Sequence, residues 1–415
     1  MPTSRKPRTV EPNRSQGVIR FEVPEESLPA EHPARVLWRL LGTLDVSKFL
    51  RGARAVQGHA GRPTLSPQMM LTLWTYGISQ GVGSAREIAR LVQSDDAYRW
   101  IAHEVSVSHQ ALSSFRVGHR EALDELMTDI LGTLMHKGVL DLALVAQDGM
   151  RVRAAATAPS FRREDSLLKC REQAALHLKA VLAQADDPEI TRAQHAAREA
   201  AARDFQRRVE EAIATVETLQ SARRPSEGPA RASTTDAEAR VMKMADGGFR
   251  PAYNVRAATA GSPMGGPRTI VGIQVSNVGS DMDAVVPMLD EIKARTGALP
   301  TTLLADANHA NHDGIREATD RGVEVLIAVP KRSQKPGPAA DNDPAIADWR
   351  ERMRQPEKLR VYRARASLCE LTNAHLRSRR AIQQFLVRGL NKVTCVVLLG
   401  AITTNLLNHA ASLLA

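Results

Sequence analysis

Apolar positions in the first third of the chain recur three and four residues apart, the period of an amphipathic helix. Val36, Leu37, Leu40 and Leu41 form the first such stripe, after His32-Pro33. Ser66-Pro67 reads as a helix start, with Ser at the N-cap and Pro at the first helical position. The helix carries Met70, Leu71, Leu73 and Trp74 and is expected to stop at the glycines Gly81 and Gly83. Ser84 and Glu87 have capping-box spacing for a helix over 85–91. Further helices are expected over 96–102 and, as one unit, from Ser108 through Phe115 and Leu123 to His136. Short helices broken by Gly and Ser suit a helix-turn-helix-like DNA-binding region, and they suit a plain helical bundle as well.

The period changes at Leu142. Ala143, Val145 and Gln147 alternate with Leu142, Leu144, Ala146 and Asp148, as on a strand. This apolar run ends on one carboxylate, which must be solvated, paired or metal-bound if the strand is buried. An ordinary Asp-Gly turn at Asp148-Gly149 is the competing explanation. Under either reading the chain is expected to turn there, with 151–157 as a hairpin partner.

Residues 165–222 are rich in Ala, Glu, Gln and Arg, and Leu168, Leu176, Val181 and Leu182 fall at helical spacing. Asp186-Asp187-Pro188 should split them into two antiparallel helices, with a loop over 223–231. Strand patterns follow at 252–255 and 269–275, then a helix over 283–296 and a strand over 301–305 that leads to Asp306. A helix (313–321), a buried strand (323–329), a Pro-rich loop (335–344) and a mainly helical end from Pro356 complete the chain. Strands first, then alternating strand and helix, predict an α/β fold with a mixed sheet flanked by helices. The expected organisation is a flexible basic arm (1–25), an all-α N-terminal domain (26–137), a catalytic unit (138–164 and 232–415) and a helical-hairpin insertion with its loop (165–231).

Charge sharpens this picture. The 415 residues carry a net charge of +10, which favours a polyanionic partner, nucleic acid before membrane. Much of the excess is local: between Trp349 and Lys392 there are twelve Lys and Arg against three Glu. Such a run can be an ordinary solvated face, but its excess of one sign around Glu370 favours phosphate. Three cysteines (Cys170, Cys369, Cys395) without CxxC suit a reducing compartment and argue against a disulfide framework or a Cys-rich zinc site. The N-terminus lacks the apolar core of a signal peptide. The most apolar stretch, 393–407, is read as too short and too interrupted to span a membrane. A soluble, cytoplasmic chain is expected.

The candidate chemistry is carried by Asp148, Asp306 and Glu370. Two Asp at strand ends and one helical Glu can converge at a sheet edge, where oxygen donors suit hard divalent cations. Two such ions about 3.5–4 Å apart can activate a water or 3′-hydroxyl and stabilise the leaving oxygen in phosphodiester chemistry. Asp306, His309 and His312 also form a D-x-x-H-x-x-H run, but it holds no Glu base as in HExxH, and polar residues at a loop or helix start explain it. Gly81-Val82-Gly83 is a turn, since no phosphate-binding fingerprint accompanies it.

Several segments resemble the DDE transposases of bacterial insertion sequences. GRPTLSPQMMLTLWTYGISQGVGSAREIARLVQSDDAYRWIA and LSSFRVGH are similar to that family's helical N-terminal region. QDGMRVRAAA carries Asp148, and LLADANHANHDG carries Asp306. GGFRPAYNVRAAT and TIVGIQVSNVGSDMDAVVPMLDEI are similar to the segments between them, and YRARASLCELTNAHLRSRR carries Glu370 with Tyr362, Arg365 and Arg377. QFLVRGLNKV and Asn405-Leu406 match the usual ending.

The resemblance implies a ribonuclease H-like catalytic core, with Asp148, Asp306 and Glu370 as catalytic residues binding two Mg²⁺ or Mn²⁺ ions. It implies Tyr362, Arg365 and Arg377 at DNA. It also implies cleavage at element ends, strand transfer into target DNA, a homodimer in the transposition complex, and action in the cytoplasm at the nucleoid. The chain departs from the family at Asn308 and His309, where Gly and an aromatic are usual, and at Arg256, with no Asp before Gly261. Two other outcomes stay open at this point: a metal-dependent nuclease on the same core, and a catalytically inactive DNA-binding derivative.

Overall fold

The computed structural model describes residues 23–52, 63–185, 187, 189–224, 226, 228–330 and 343–415. Residues 1–22 of the expected basic arm, 335–342 of the Pro-rich loop, and Asp186 and Pro188 of the expected helix break lie outside the described residues.

The N-terminal helices are α1 (Pro33–Thr43), α2 (Pro67–Ser79), α3 (Ala85–Ser94), α4 (Asp96–Ala102), α5 (His109–Gly118) and α6 (Arg120–His136). Local chemistry sets their starts. Ser66 Oγ accepts from Met69 N, Ser84 Oγ from Glu87 N, and Ser108 Oγ from Ala111 N, each satisfying an otherwise unpaired donor. The single helix expected over 108–136 is two. It breaks at His119 (φ −122°, ψ 42°), whose Nδ1 lies 2.8 Å from the Phe115 carbonyl, a side-chain contact that competes with the helical partner.

The rest of the chain runs β1 (Leu144–Arg153), β2 (Phe161–Arg162), α7 (Glu164–Ala183), α8 (Arg192–Ala222), β3 (Ala232–Ser233), β4 (Arg240–Lys243), β5 (Phe249–Ala260), β6 (Thr269–Ser276), α9 (Val285–Thr296), β7 (Thr302–Ala305), α10 (His312–Asp320) and β8 (Glu324–Ile327). It ends with α11 (Pro344–Arg352), α12 (Pro356–Arg365), α13 (Leu371–Arg379), α14 (Leu390–Asn408) and α15 (Ala410–Leu414). β1 is central. It pairs antiparallel with β5 on one side and parallel with β7 on the other, and β7 pairs parallel with β8. β4 and β6 share the far edge of β5, β4 along 249–252 and β6 along 254–260. α7 and α8 form the expected antiparallel helical hairpin, with its own small core of Leu167, Val209, Ala212 and Val216.

One expectation is overturned here. The chain does not turn at Asp148-Gly149, and 151–157 is not a hairpin partner. β1 continues through both residues to Arg153, because Asp148 to Arg153 stay in register with Ala257 to Ala252 of β5, beyond α7 and α8. Gly149 answers a close approach instead of a turn. A Cβ built there would lie 2.9 Å from Asp281 Oδ1 and 3.0 Å from Oδ2.

The two faces of the sheet pack against different helices. Leu144, Ala146, Leu304 and Leu326 meet Ala364, Leu368 and Cys369 from α12 and the turn that follows it. Val145, Val255 and Leu303 belong to the large core that also takes in α9, α14 and the N-terminal helices, continuous from Leu28 to Leu413. α14 is long and apolar enough by composition to cross a membrane, beyond the expectation for 393–407, yet 67% of that stretch is buried inside the protein. It packs against α6, α2, α5 and β6, so it is the helix on which the N-terminal helices and the sheet meet.

Candidate active site

Sheet register brings the first two carboxylates together. The last paired positions of parallel β1 and β7 are Ala146 and Leu304, and Asp148 and Asp306 each follow two residues later. They therefore leave the same face of neighbouring strands, about 4.8 Å apart across the sheet. The Asp148 side chain is 18% exposed. Its Oδ1 accepts from the Gly149 N–H at 2.9 Å and its Oδ2 from Asn373 Nδ2 at 3.3 Å. Burial pushes the Asp148 carboxyl above the usual carboxylate range and the Asp306 charge adds to this, against Arg365 and the Gly149 N–H.

Asp306 caps the short turn that follows β7. It accepts from the Asn308 N–H (3.0 Å), from Asn308 Nδ2 (2.8 Å) and from His309 Nδ1 (2.7 Å). Burial alone would raise Asp306, but the His309 and Asn308 hydrogen bonds outweigh it and hold the carboxyl below its ordinary value. The two residues that depart from the family pattern thus fix Asp306. His309 is fully buried, with no partner at Nε2. The other departure, Arg256, is also engaged: its Nε donates to the buried Asp281 at 2.8 Å.

Glu370 reaches the same region from the opposite side. It ends a π-helical turn, Ala366–Glu370, set between α12 and α13. In an α-helix residues five apart point about 140° away from each other, since each turns roughly 100°. The i→i+5 turn brings them into line. Arg365 Nη2 accordingly lies 2.5 Å from Glu370 Oε1, while its Nη1 is 3.9 Å from Asp148 Oδ2. The Arg365 guanidinium stands between the two carboxylates, 5.9 Å from the centre of the Tyr362 ring. Tyr362 and Arg365 therefore belong to the wall of the site. Arg377 donates to the Arg151 carbonyl at 3.0 Å and faces the opening.

An open groove of about 830 Å³ lies beside these groups; Asp148, Arg151, Lys243, Asn308, Glu370 and Arg377 are among the residues that line it. Its lining combines two carboxylates, Asp148 and Glu370, with the basic side chains of Arg151, Lys243 and Arg377. Sequence reasoning missed Arg151, Lys243 and Asn373. Only Asn373 left a usable signal, three residues after Glu370 and so on the same helix face.

Among the described residues, no group of three or more His, Cys, Asp and Glu side chains is closed enough to hold a metal ion. The D-x-x-H-x-x-H run is no zinc set: His309 bonds Asp306, whereas the His312 ring stands 6.1 Å from that of Trp349. The carboxylate set offers only oxygen donors, which suits Mg²⁺ or Mn²⁺. Two negative groups on one face, one of them forced up by burial, are what a divalent cation would relieve.

Residues 238–406 match the family model described as a transposase DDE domain, and residues 22–118 match one described as a transposase domain (DUF772). The chain belongs to the DDE-type transposases of insertion sequences. No curated protein and no solved structure matches it. The transposase therefore acts on DNA, in a family whose general chemistry is phosphodiester cleavage and strand transfer. Asp306 and Glu370 lie inside the matched DDE segment of the transposase. Asp148 lies between the two matches, and its tie to the site is its register with Asp306.

Proposed function

We propose that this transposase cuts DNA at the ends of its own element and joins the freed 3′-hydroxyl to target DNA, with Asp148, Asp306 and Glu370 as the ligands of two Mg²⁺ or Mn²⁺ ions. The observation that carries the reading is the in-register pair Asp148 and Asp306, with Arg365 reaching both Asp148 and Glu370, and Asp148 and Glu370 lining one groove. When bound, two such ions supply an activated water or 3′-hydroxyl and a stabilised leaving oxygen. The chain's own residues do the rest. Asn308 and His309 hold Asp306 in one orientation, and Gly149 lets β1 pass close to Asp281 without displacing Asp148. Arg365 keeps Glu370 neutralised until the carboxylate turns toward Asp148. The guanidinium so released, with Tyr362 against it and Arg377 at the opening, then meets DNA phosphate.

The order β6, β5, β1, β7, β8, with the first three strands antiparallel and the last two pairs parallel, supports a ribonuclease H-like core. In this reading residues 26–137 recognise the element ends, and 138–164 with 232–415 form the catalytic unit. Residues 165–231 are an inserted hairpin, and two copies of the chain act together in the cytoplasm, at the nucleoid. The test is the purified full chain incubated with labelled DNA carrying its own inverted repeats and a target plasmid, in Mg²⁺. Joined products support the proposal. Cut products alone make the protein a nuclease on this core, and shifted bands without chemistry make it an inactive DNA-binding derivative.

A further inference from the structure

We propose that Asn373 supplies a further oxygen ligand to the cation held at Asp148, an inference that rests on the three-carboxylate reading above. Asn373 stands on α13, one helical turn beyond Glu370, and lines the same groove. Its Nδ2 donates to Asp148 Oδ2 at 3.3 Å. The residue is 8% exposed, and its Oδ1 is buried without a hydrogen-bond partner. A carbonyl oxygen that loses its water and gains nothing is costly, so an unpaired one beside a carboxylate marks a place for a hydrogen-bond donor or a cation. Asn carbonyl oxygens are ordinary ligands of hard divalent cations. One placed here adds coordination without adding charge to the Asp148–Asp306 pair, which already repel each other. Glu370 is turned toward Arg365, whereas Asn373 already touches Asp148.

The competing role is that of a plain donor that orients Asp148. The two roles give opposite results for Asn373→Asp, which keeps the size and shape of the side chain. For a ligand, the substitution puts a charged oxygen where the amide oxygen stood. For a donor, it removes the N–H and sets one carboxylate against another.

The experiment is calorimetric titration of Mn²⁺ into the DNA-free full chain: wild type, Asn373→Ala, Asn373→Asp and Asp148→Asn, each first melted in chelator to verify the fold. Asn373→Ala is expected to bind Mn²⁺ about ten- to a hundredfold more weakly, on the scale of losses at ligand-supporting positions. Asn373→Asp is expected to match or exceed wild type. An affinity for Asn373→Asp about tenfold below wild type overturns the proposal, and so does an unchanged Asn373→Ala. If Asn373→Ala does not fold, the near-isosteric Asn373→Asp alone decides. Undiminished binding by Asp148→Asn would instead refute the parent reading. Loss in Asp148→Asn with both Asn373 variants at wild-type affinity would refute only the role of Asn373.

Discussion

Gly149→Ala tests how tightly the strand that carries Asp148 is held. The added methyl carbon would sit 2.9 Å from Asp281 Oδ1, 3.0 Å from Oδ2 and 3.1 Å from Asn254 Oδ1, all inside ordinary van der Waals separation. Asp281 cannot retreat freely. It accepts from Arg256 Nε at 2.8 Å and from Asn254 Nδ2 at 2.6 Å, and Arg151 Nη2 lies 3.8 Å away. Breaking such a buried ion pair costs about 3–5 kcal/mol, so the strand shifts instead, at the roughly 1–3 kcal/mol typical of overpacking. Gly132→Ala is the control, because it lies within α6 and a Cβ there meets nothing within 4 Å. That change should stabilise the protein by about 0.5–1 kcal/mol. Urea unfolding of both variants should show midpoints moving in opposite directions at constant slope. Gly149→Ala should also cleave DNA more slowly, since the shifted strand moves Asp148. Equal midpoints in the two variants would show that Asp281 yields easily and that Gly149 carries no packing constraint.

Arg377→Ala should weaken DNA binding evenly across sequences and reduce the slope of log affinity against log salt by about one, as for one lost phosphate contact; an unchanged slope would make Arg377 a purely structural donor to the Arg151 carbonyl. The raised Asp148 carboxyl gives a pH dependence in chelator. Its folded-state value lies above its unfolded one, so its contribution to stability is complete below the ordinary Asp range and is lost as pH rises through the raised value. Asp148→Asn, which stays neutral, should therefore melt higher than wild type at pH 7 and lose that advantage as the pH falls toward about 4. A constant difference between pH 4 and 7 would remove burial as the cause.

The parts of this fold legible in the sequence are those set by local chemistry. Ser66-Pro67 and Ser84 announce α2 and α3 because caps act within a single turn. Alternation around Asp148 placed Val145 and Ala146 on opposite faces, as their separate cores now show. The pairing of β1 with β5 was not legible, because its register is fixed across the whole stretch that holds α7 and α8. Asp-Gly read as a turn because Gly serves equally for positive φ and for close approach, and only the position of Asp281 decides between them. β4 was missed because four residues, with Val241 exposed, give no stripe. In the site, Asp148 and Asp306 could be read as strand-associated acids. The contact of Arg365 with Glu370 could not, since a spacing of five reads as opposite helix faces until the π-helical turn is known.

In the proposed site Glu370 acts with Asp148 and Asp306, although it rests against Arg365. The direct measurement is strand cleavage by Glu370→Gln and Glu357→Gln on pre-formed complexes with end DNA in Mn²⁺. Both changes remove one negative charge at nearly constant size, and Glu357 lies in the first turn of α12, in the same basic segment. Glu370→Gln should abolish cleavage while DNA binding stays near wild type, and Glu357→Gln should remain active. A surface ion pair with Arg365 alone would contribute only about 0–1 kcal/mol and no chemistry. Equal cleavage by the two variants would take Glu370 out of the site and contradict the three-carboxylate assignment.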